Sequence, residues 1–552
     1  MNSESPASAL LPVLDRRTLF RGGALAAGLA AIPVSASGST IGGFAYGVAS
    51  GEPSANSVLL WTRYGAAQDI SIRWELADDL DFSRIVASGE VTAAPEQDFC
   101  VKPVATGLQP DSWYYYRFIG PDGTLSEVGR TRTLPVGPTD RYRMAVFSCS
   151  NIGFGYFNAY AHAAEANAFD LIVHTGDYFY EYDATTYPSA DAKVAGRDAF
   201  PMAETVALAD YRLRHASYRR DPDLRRMTQL YPMIMGWDDH ESANDSWKGG
   251  AENHQPDREG DWDVRKAAAS RAYREWLPVS DAPYAAYDIG DLATLIRLET
   301  RLLGRDEPPS IGEILKGRTS SIEAIAALTA FREGAYLDPA RTMLGMEQEA
   351  WLADQFQRSK SAGQKWQVLV QQVIMGELAG STDLIANAPP NIPDYIRVRL
   401  QAAAAATAAG LPLNMDAWDG YPAARSRLLA SAQAADANLV VLAGDSHNGW
   451  AFELKNDGAP AGVEFAGQSV TSPGFEGTIG WIDPDVLART VVAGNSELKW
   501  ADTSRRGYMA VELTPDAVTC EYRFTGDVRR RTSSVTDTHR MAAAHGANRF
   551  AP

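Results

Sequence analysis

Between about residues 41 and 137, apolar and polar positions alternate in short runs, as in Ser57-Val58-Leu59-Leu60-Trp61-Thr62, Ile70-Ser71-Ile72-Arg73-Trp74 and Trp113-Tyr114-Tyr115-Tyr116-Arg117-Phe118. A period of two puts every second side chain on one face, so each run predicts a strand with one buried side. Gly, Pro and Asp residues punctuate the runs. The stretch 41–137 therefore predicts an antiparallel β-sandwich, closed by the linker Leu134-Pro135-Val136-Gly137-Pro138.

Beyond the linker the pattern changes. Nearly continuous apolar runs at 143–149, 170–176, 231–237, 366–373 and 438–444 alternate with stretches of helical period such as 263–276 and 346–358. Strands that are apolar on both sides belong to a sheet covered on both faces, so residues 140–525 predict one α/β domain. The segment 305–334, the Pro-rich stretch 388–393 and the Ala-rich tract 401–409 read as insertions over its surface, and 526–552 as a C-terminal tail with the basic run Arg529-Arg530-Arg531.

Composition agrees with a folded chain of more than one core: 552 residues, 45% hydrophobic and 22% charged. The formal charge is -18, and without residues 1–36 the chain keeps 48 basic against 67 acidic side chains. Such a surface repels a polyanion, and no basic stripe with interleaved aromatics reverses this locally, which excludes nucleic acid as a structural partner. The three cysteines, Cys100, Cys149 and Cys520, are too few and odd in number for a disulfide framework, so at least one thiol is free for other chemistry.

At the N-terminus, Asp15-Arg16-Arg17-Thr18-Leu19-Phe20-Arg21 precedes a weakly apolar run of 13 residues, 22–34, and the small-residue site Val34-Ser35-Ala36. The segment 1–36 resembles a twin-arginine signal peptide. The run is too short to cross a hydrocarbon core of ~30 Å as a helix. The expectation is export by the twin-arginine machinery, already folded, to a periplasmic or extracellular location without a stable membrane anchor.

Candidate chemistry sits where four apolar runs stop: Phe147-Ser148-Cys149-Ser150-Asn151, His174-Thr175-Gly176-Asp177-Tyr178-Phe179-Tyr180, Gly236-Trp237-Asp238-Asp239-His240-Glu241 and Ala443-Gly444-Asp445-Ser446-His447. One Asp after a Gly is a turn residue more often than a ligand. Four strand ends in one domain that all finish in metal-ligand residue types point to a site. Cys149, Asp177, Tyr180 and His447 offer thiolate, carboxylate, phenolate and imidazole, a set suited to ferric iron. Asp177, Asp239 and Asp445 offer only carboxylate oxygens, which suit a hard divalent cation such as calcium, with a second calcium left open. Asp238 competes with Asp239 by a one-residue shift of register.

The order of Cys149, Gly176-Asp177-x-x-Tyr180, Asp238-Asp239-His240-Glu241 and Gly444-Asp445-x-His447 resembles the alkaline phosphatase D (PhoD-like) family, within the wider metallophosphoesterases. The resemblance extends to Gly47-Val48-Ala49-Ser50-Gly51-Glu52-Pro53 and Leu60-Trp61-Thr62-Arg63 near the N-terminus. It implies a metallophosphoesterase-type β-sandwich flanked by helices, four layers αββα, preceded by a small all-β domain. The phrase Leu108-Gln109-Pro110-Asp111-Ser112-Trp113-Tyr114 gives that domain a fibronectin-III or immunoglobulin-like character. It also implies iron and calcium, and a phosphate-ester substrate attacked through a hydroxide bridging two metals.

His240 is the candidate proton donor to the leaving oxygen and Asn151 a hydrogen-bond donor to the phosphate. The loop 241–263 offers a further calcium ligand or a substrate contact, with His254 the weakest member. Phosphomonoester hydrolysis is the first expectation and phosphodiester or phospholipase D-type cleavage the second. The third, a secreted binding protein without catalysis, would need broken ligand positions, and all six carry competent side chains.

Overall fold

A computed structural model describes residues 43–318, 320–380, 388–390, 392 and 394–551. The segment 1–36, read from the sequence as a signal peptide, lies outside them. Two sheets pack face to face at the centre. The larger has the strand order Val535–Ala544, Ala517–Thr525, Gly507–Leu513, Tyr142–Phe147, Leu171–His174, Pro232–Met235, Val48–Gly51, Ser57–Arg63, Cys100–Val101, with Val104–Thr106 also paired to Ser57–Arg63. The smaller runs Ala285–Ile289, Ala293–Arg297, Trp366–Val370, Leu439–Ala443, Ala459–Ala466, Gly449–Asn456, Leu498–Asp502.

Strand alternation explains why four layers form. In Tyr142–Phe147, Met144 and Val146 turn inward to meet Val368, Val440, Leu442 and Val463 of the facing sheet. Ala145 and Phe147 turn outward, where the helices Asn158–Ala166, Leu208–Tyr218, Pro222–Leu230 and Trp262–Trp276 cover them. On the far side Ile296, Leu369 and Val441 are covered by Gly345–Ser361, Pro422–Ala434 and Pro484–Gly494. Both faces of each central strand are buried, which is what the unbroken apolar runs require. The fold is the αββα arrangement.

The N-terminal region forms a second small sandwich. Its outer sheet, Ile85–Ala93, Ile70–Ala77, Trp113–Ile119 and Gly129–Arg132, packs Ile72, Leu76, Tyr116 and Phe118 against Val48, Val58 and Leu60. Its inner sheet is the edge of the large sheet itself. Val48–Gly51 pairs in parallel with Pro232–Met235, so hydrogen bonding runs unbroken across the linker boundary read from the sequence. At the opposite edge, Val535–Ala544 pairs along its length with Ala517–Thr525, making the segment set apart as a tail an integral strand.

The insertions 305–334 and 401–409 are helical, and the Pro-rich stretch 388–393 lies partly outside the described residues. Ile311–Leu315, Ser321–Glu333 and Asp394–Ala408 share a small core of Leu328, Ala406, Leu411 and Met415. The backbone leading toward this cap from Trp366–Val370 is gripped tightly. The N–H groups of Met375 and Gly376 donate to the two oxygens of Glu464, that of Glu377 to Glu497, that of Leu378 to Asp419 and that of Ala379 to Asn495. Buried backbone donors outside regular structure need such partners.

Candidate metal centre

All four sequence-predicted strand ends converge at the C-terminal ends of parallel strands from the two sheets. The turns that deliver them use uncommon backbone. Cys149, Asp177, Asp445 and His447 have φ of 59°, 54°, 58° and 64°, left-handed values that L-residues adopt at a cost and that cluster at functional sites. Gly176, at φ 114°, is obligatory, because a Cβ there would lie 2.4 Å from that of Asp238.

Ligating atoms of Cys149, Asp177 and His447 lie within 4.8 Å of one another, and so do those of Asp177, Asp239 and His240, and of Asp238, Asp239 and Asp445. Tyr180 joins the first group: its hydroxyl donates to Asp177 Oδ2 at 3.0 Å, lies 3.0 Å from His447 Nε2 and accepts from Ser472 Oγ at 2.8 Å. Asp239 and Asp238 both point into the site, so the register alternative resolves into two adjacent acids that face the same place. His254 belongs to none of these groups among the described residues; its Nδ1 lies 3.3 Å from Glu259. Asn151 caps a short 3₁₀ turn, accepting from Gly153 N and donating to Tyr187 O, which leaves one amide N–H. Tyr178 and Phe179 pack in the helix-side core.

The carboxylates share one feature. Each has one oxygen held: Asp177 Oδ2 by Tyr180, Asp239 Oδ2 by Asp245 N at 2.6 Å, Asp238 Oδ1 by Arg301 Nε at 2.5 Å and Asp445 Oδ1 by Arg301 Nη2 at 3.0 Å. The buried Asp177 Oδ1, Asp238 Oδ2 and Asp239 Oδ1 have no hydrogen-bond partner among the described residues. A buried carboxylate oxygen left without a donor is costly, and this half-anchored arrangement is the one that orients carboxylates toward a cation.

Electrostatics follow from crowding. Burial, then the neighbouring acids, pushes the Asp177 and Asp238 carboxyls well above the usual range, and Asp445 to about 7. Burial works the same way on Asp239, but Arg301 and His240 outweigh it and hold it at about 2. Burial lowers His447 to about 4, so its imidazole is neutral. Burial also disfavours charge on His240, yet Asp177, Asp239 and Glu181 surround it and keep it protonated, with Nδ1–H donating to Glu181 Oε2 at 2.6 Å. The ring sits between Tyr180 and Tyr182.

Sequence reasoning missed Arg301, Asp416, Glu181 and the bridging role of Glu241, whose carboxylate accepts from the N–H groups of Asp177, Tyr178 and Asp238. Arg301 carried a signal: the strand Ala293–Arg297 also stops in Leu298-Glu299-Thr300-Arg301, a fifth strand end of the same kind.

A four-layer fold with a cluster of buried acids at its strand ends can house metal-assisted hydrolysis, and the comparisons identify the class as phosphoric ester hydrolases. The family model described as PhoD-like phosphatase matches residues 144–522, and that for its N-terminal domain matches 31–135. The chain belongs to the PhoD-like phosphatase family. It is 33% identical over 506 residues to alkaline phosphatase D of Bacillus subtilis (strain 168), covering 87% of this chain and 77% of that one. A solved structure of PhoD superposes with a TM-score of 0.74 at 30% identity, covering 92% of each chain.

Proposed function

We propose that the protein is an exported, metal-dependent phosphatase that hydrolyses phosphate monoesters. The observation that carries this is the set of half-anchored carboxylates beside a neutral imidazole, a phenol and a thiol. Cys149, Asp177, Tyr180 and His447 would hold ferric iron, whose charge draws the proton from a buried thiol and phenol. Asp177, Asp239 and Asp445, with Asp238 beside them, would hold calcium. Bound there, the two cations would supply a strong nucleophile from water at neutral pH and neutralise phosphoryl charge.

The chain's own groups supply the rest. His240, protonated and fixed by Glu181, gives a proton to the departing alkoxide. Glu241 ties the Asp177 and Asp238 turns together, so the donors stay in register. The paired Arg16 and Arg17 support export in the folded state by the twin-arginine route. No helix among the described residues is long and apolar enough to cross a membrane.

The test is metal analysis of the natively exported protein with hydrolysis of a chromogenic monoester and the matching diester, before and after chelation. Iron near one per chain and chelation-sensitive turnover favouring the monoester are expected. A folded protein without metal and without turnover refutes the proposal, and preference for the diester moves the substrate to the second class. Replacing Arg16 and Arg17 by Lys is expected to leave the chain in the cytoplasm.

A further inference from the structure

Arg301 is fully buried, and its guanidinium lies among four carboxylates rather than one. Nε donates to Asp238 Oδ1 at 2.5 Å, one terminal nitrogen to Asp416 Oδ2 at 2.6 Å, and the other to Asp445 Oδ1 at 3.0 Å, with Asp239 Oδ1 at 3.5 Å. These acids come from three separate places: the turn after Pro232–Met235, the turn after Leu439–Ala443, and the segment leaving the helical cap. Arg301 is itself fixed, because its N–H and those of Leu302 and Leu303 donate to Glu299. Arg305, the next cation along, reaches only Asp416 among these acids.

We propose that Arg301 is the resident counter-ion of the divalent site, a positioning residue that keeps the donor carboxylates assembled by taking one oxygen of Asp238 and of Asp445 and leaving the other oxygen free. The inference rests on the divalent-site reading above. Four carboxylates crowded at a buried site repel one another when ionised, and a planar guanidinium meets three of them at once with N–H donors held in a fixed fork, where an ammonium is a compact charge with three rotatable donors on a flexible stem. Arg301 and a bound dication neutralise the same carboxylates. By linkage each lowers the need for the other, so the protein should keep its site assembled before any cation arrives and should lean on the cation when Arg301 is lost.

The experiment uses the exported protein, fully chelated or supplied with calcium alone, and compares the thermal midpoints of wild type, Arg301→Met and Arg301→Lys. Chelated Arg301→Met is expected to melt below chelated wild type, its gain on adding calcium at least twice that of wild type, and Arg301→Lys to fall between them. Should Arg301→Met fail to fold when chelated, refolding in calcium is expected to recover it. Adding Asp238→Asn, which removes one uncompensated charge, is expected to restore part of the chelated stability. Equal losses with and without calcium, or a double variant no more stable than Arg301→Met, would show a packing defect and overturn the proposal. A wild type indifferent to calcium, manganese and magnesium strikes down the divalent reading instead, and the chelated comparison with the double variant still judges Arg301.

Discussion

His447 donates its Nδ1–H to the carbonyl of Pro473 at 2.8 Å, which fixes the tautomer and leaves Nε2 as a bare nitrogen 3.0 Å from the Tyr180 hydroxyl. The phenol in turn reaches Asp177, so three donors from strand ends in two different sheets meet within hydrogen-bonding distance.

If iron is held here, Tyr180 gives it a phenolate ligand and the protein a visible absorption band. Tyr180→Phe is expected to remove the phenolate contribution to the band, leaving that of the Cys149 thiolate, and to weaken iron retention by about 10–100-fold. Absorption and resonance Raman spectra with iron analysis check this; a Tyr180→Phe protein with full iron and an unchanged spectrum refutes the ligand role.

The proton held on His240 matters only where the leaving group needs it. His240→Asn is expected to lower kcat by about 100-fold for alkyl phosphates and far less for a nitrophenyl phosphate, whose anion departs unaided. A rate series over leaving groups of graded acidity measures it. Equal losses across the series would assign His240 to structure.

Two buried histidines contribute to the loss of stability in acid. Burial lowers both His174 and His215 to about 3. His174 accepts from Gly176 N and contacts Tyr160 Oη, while His215 packs among Phe179 and Trp276 with neither ring nitrogen hydrogen-bonded. Below an ordinary histidine pKa of ~6.5 the unfolded chain binds protons that the folded chain refuses, so stability falls as pH drops from there toward 3, by about 1.4 kcal/mol per pH unit for each ring. His215→Phe is expected to remove its share of that slope. Denaturant midpoints at pH 7, 6 and 5 for the two proteins provide the comparison.

Deleting 535–552 removes an entire edge strand and the buried side chains of Ala543 and Phe550, and bares Ala517–Thr525 along its length. Loss of soluble protein, or a midpoint lowered by well over 5 °C, is expected. Circular dichroism melts and solubility give the readout; an unchanged melt would mean that the strand is dispensable.

The strand ends were legible because each ligand follows an unbroken apolar run, and a strand buried on both faces must end abruptly when it reaches a polar site. Arg301 obeys the same rule, but a cation is not a metal ligand, so a search by ligand chemistry passes over it. Asp416, Ser472 and Pro473 lie on irregular backbone with no period to read. The attachment of Val48–Gly51 to Pro232–Met235 joins segments 182 residues apart at Ser50 and Pro232, and no local pattern encodes such a pairing. Val535–Ala544 was hidden for a different reason: it lies at an edge, exposed or half-exposed at all but one position, and its sequence VTDTHRMAAA lacks a clean alternation.

The last strand of the described chain, Val535–Ala544, is one margin of the large sheet and Cys100–Val101 the other, with the strands around the site between them. Val535–Ala544 can join the sheet only after the strands on its inner side have been made, because it follows all of them in sequence. That margin is therefore supplied after every residue of the candidate site, so synthesis of the site precedes synthesis of the strand that covers the sheet's edge.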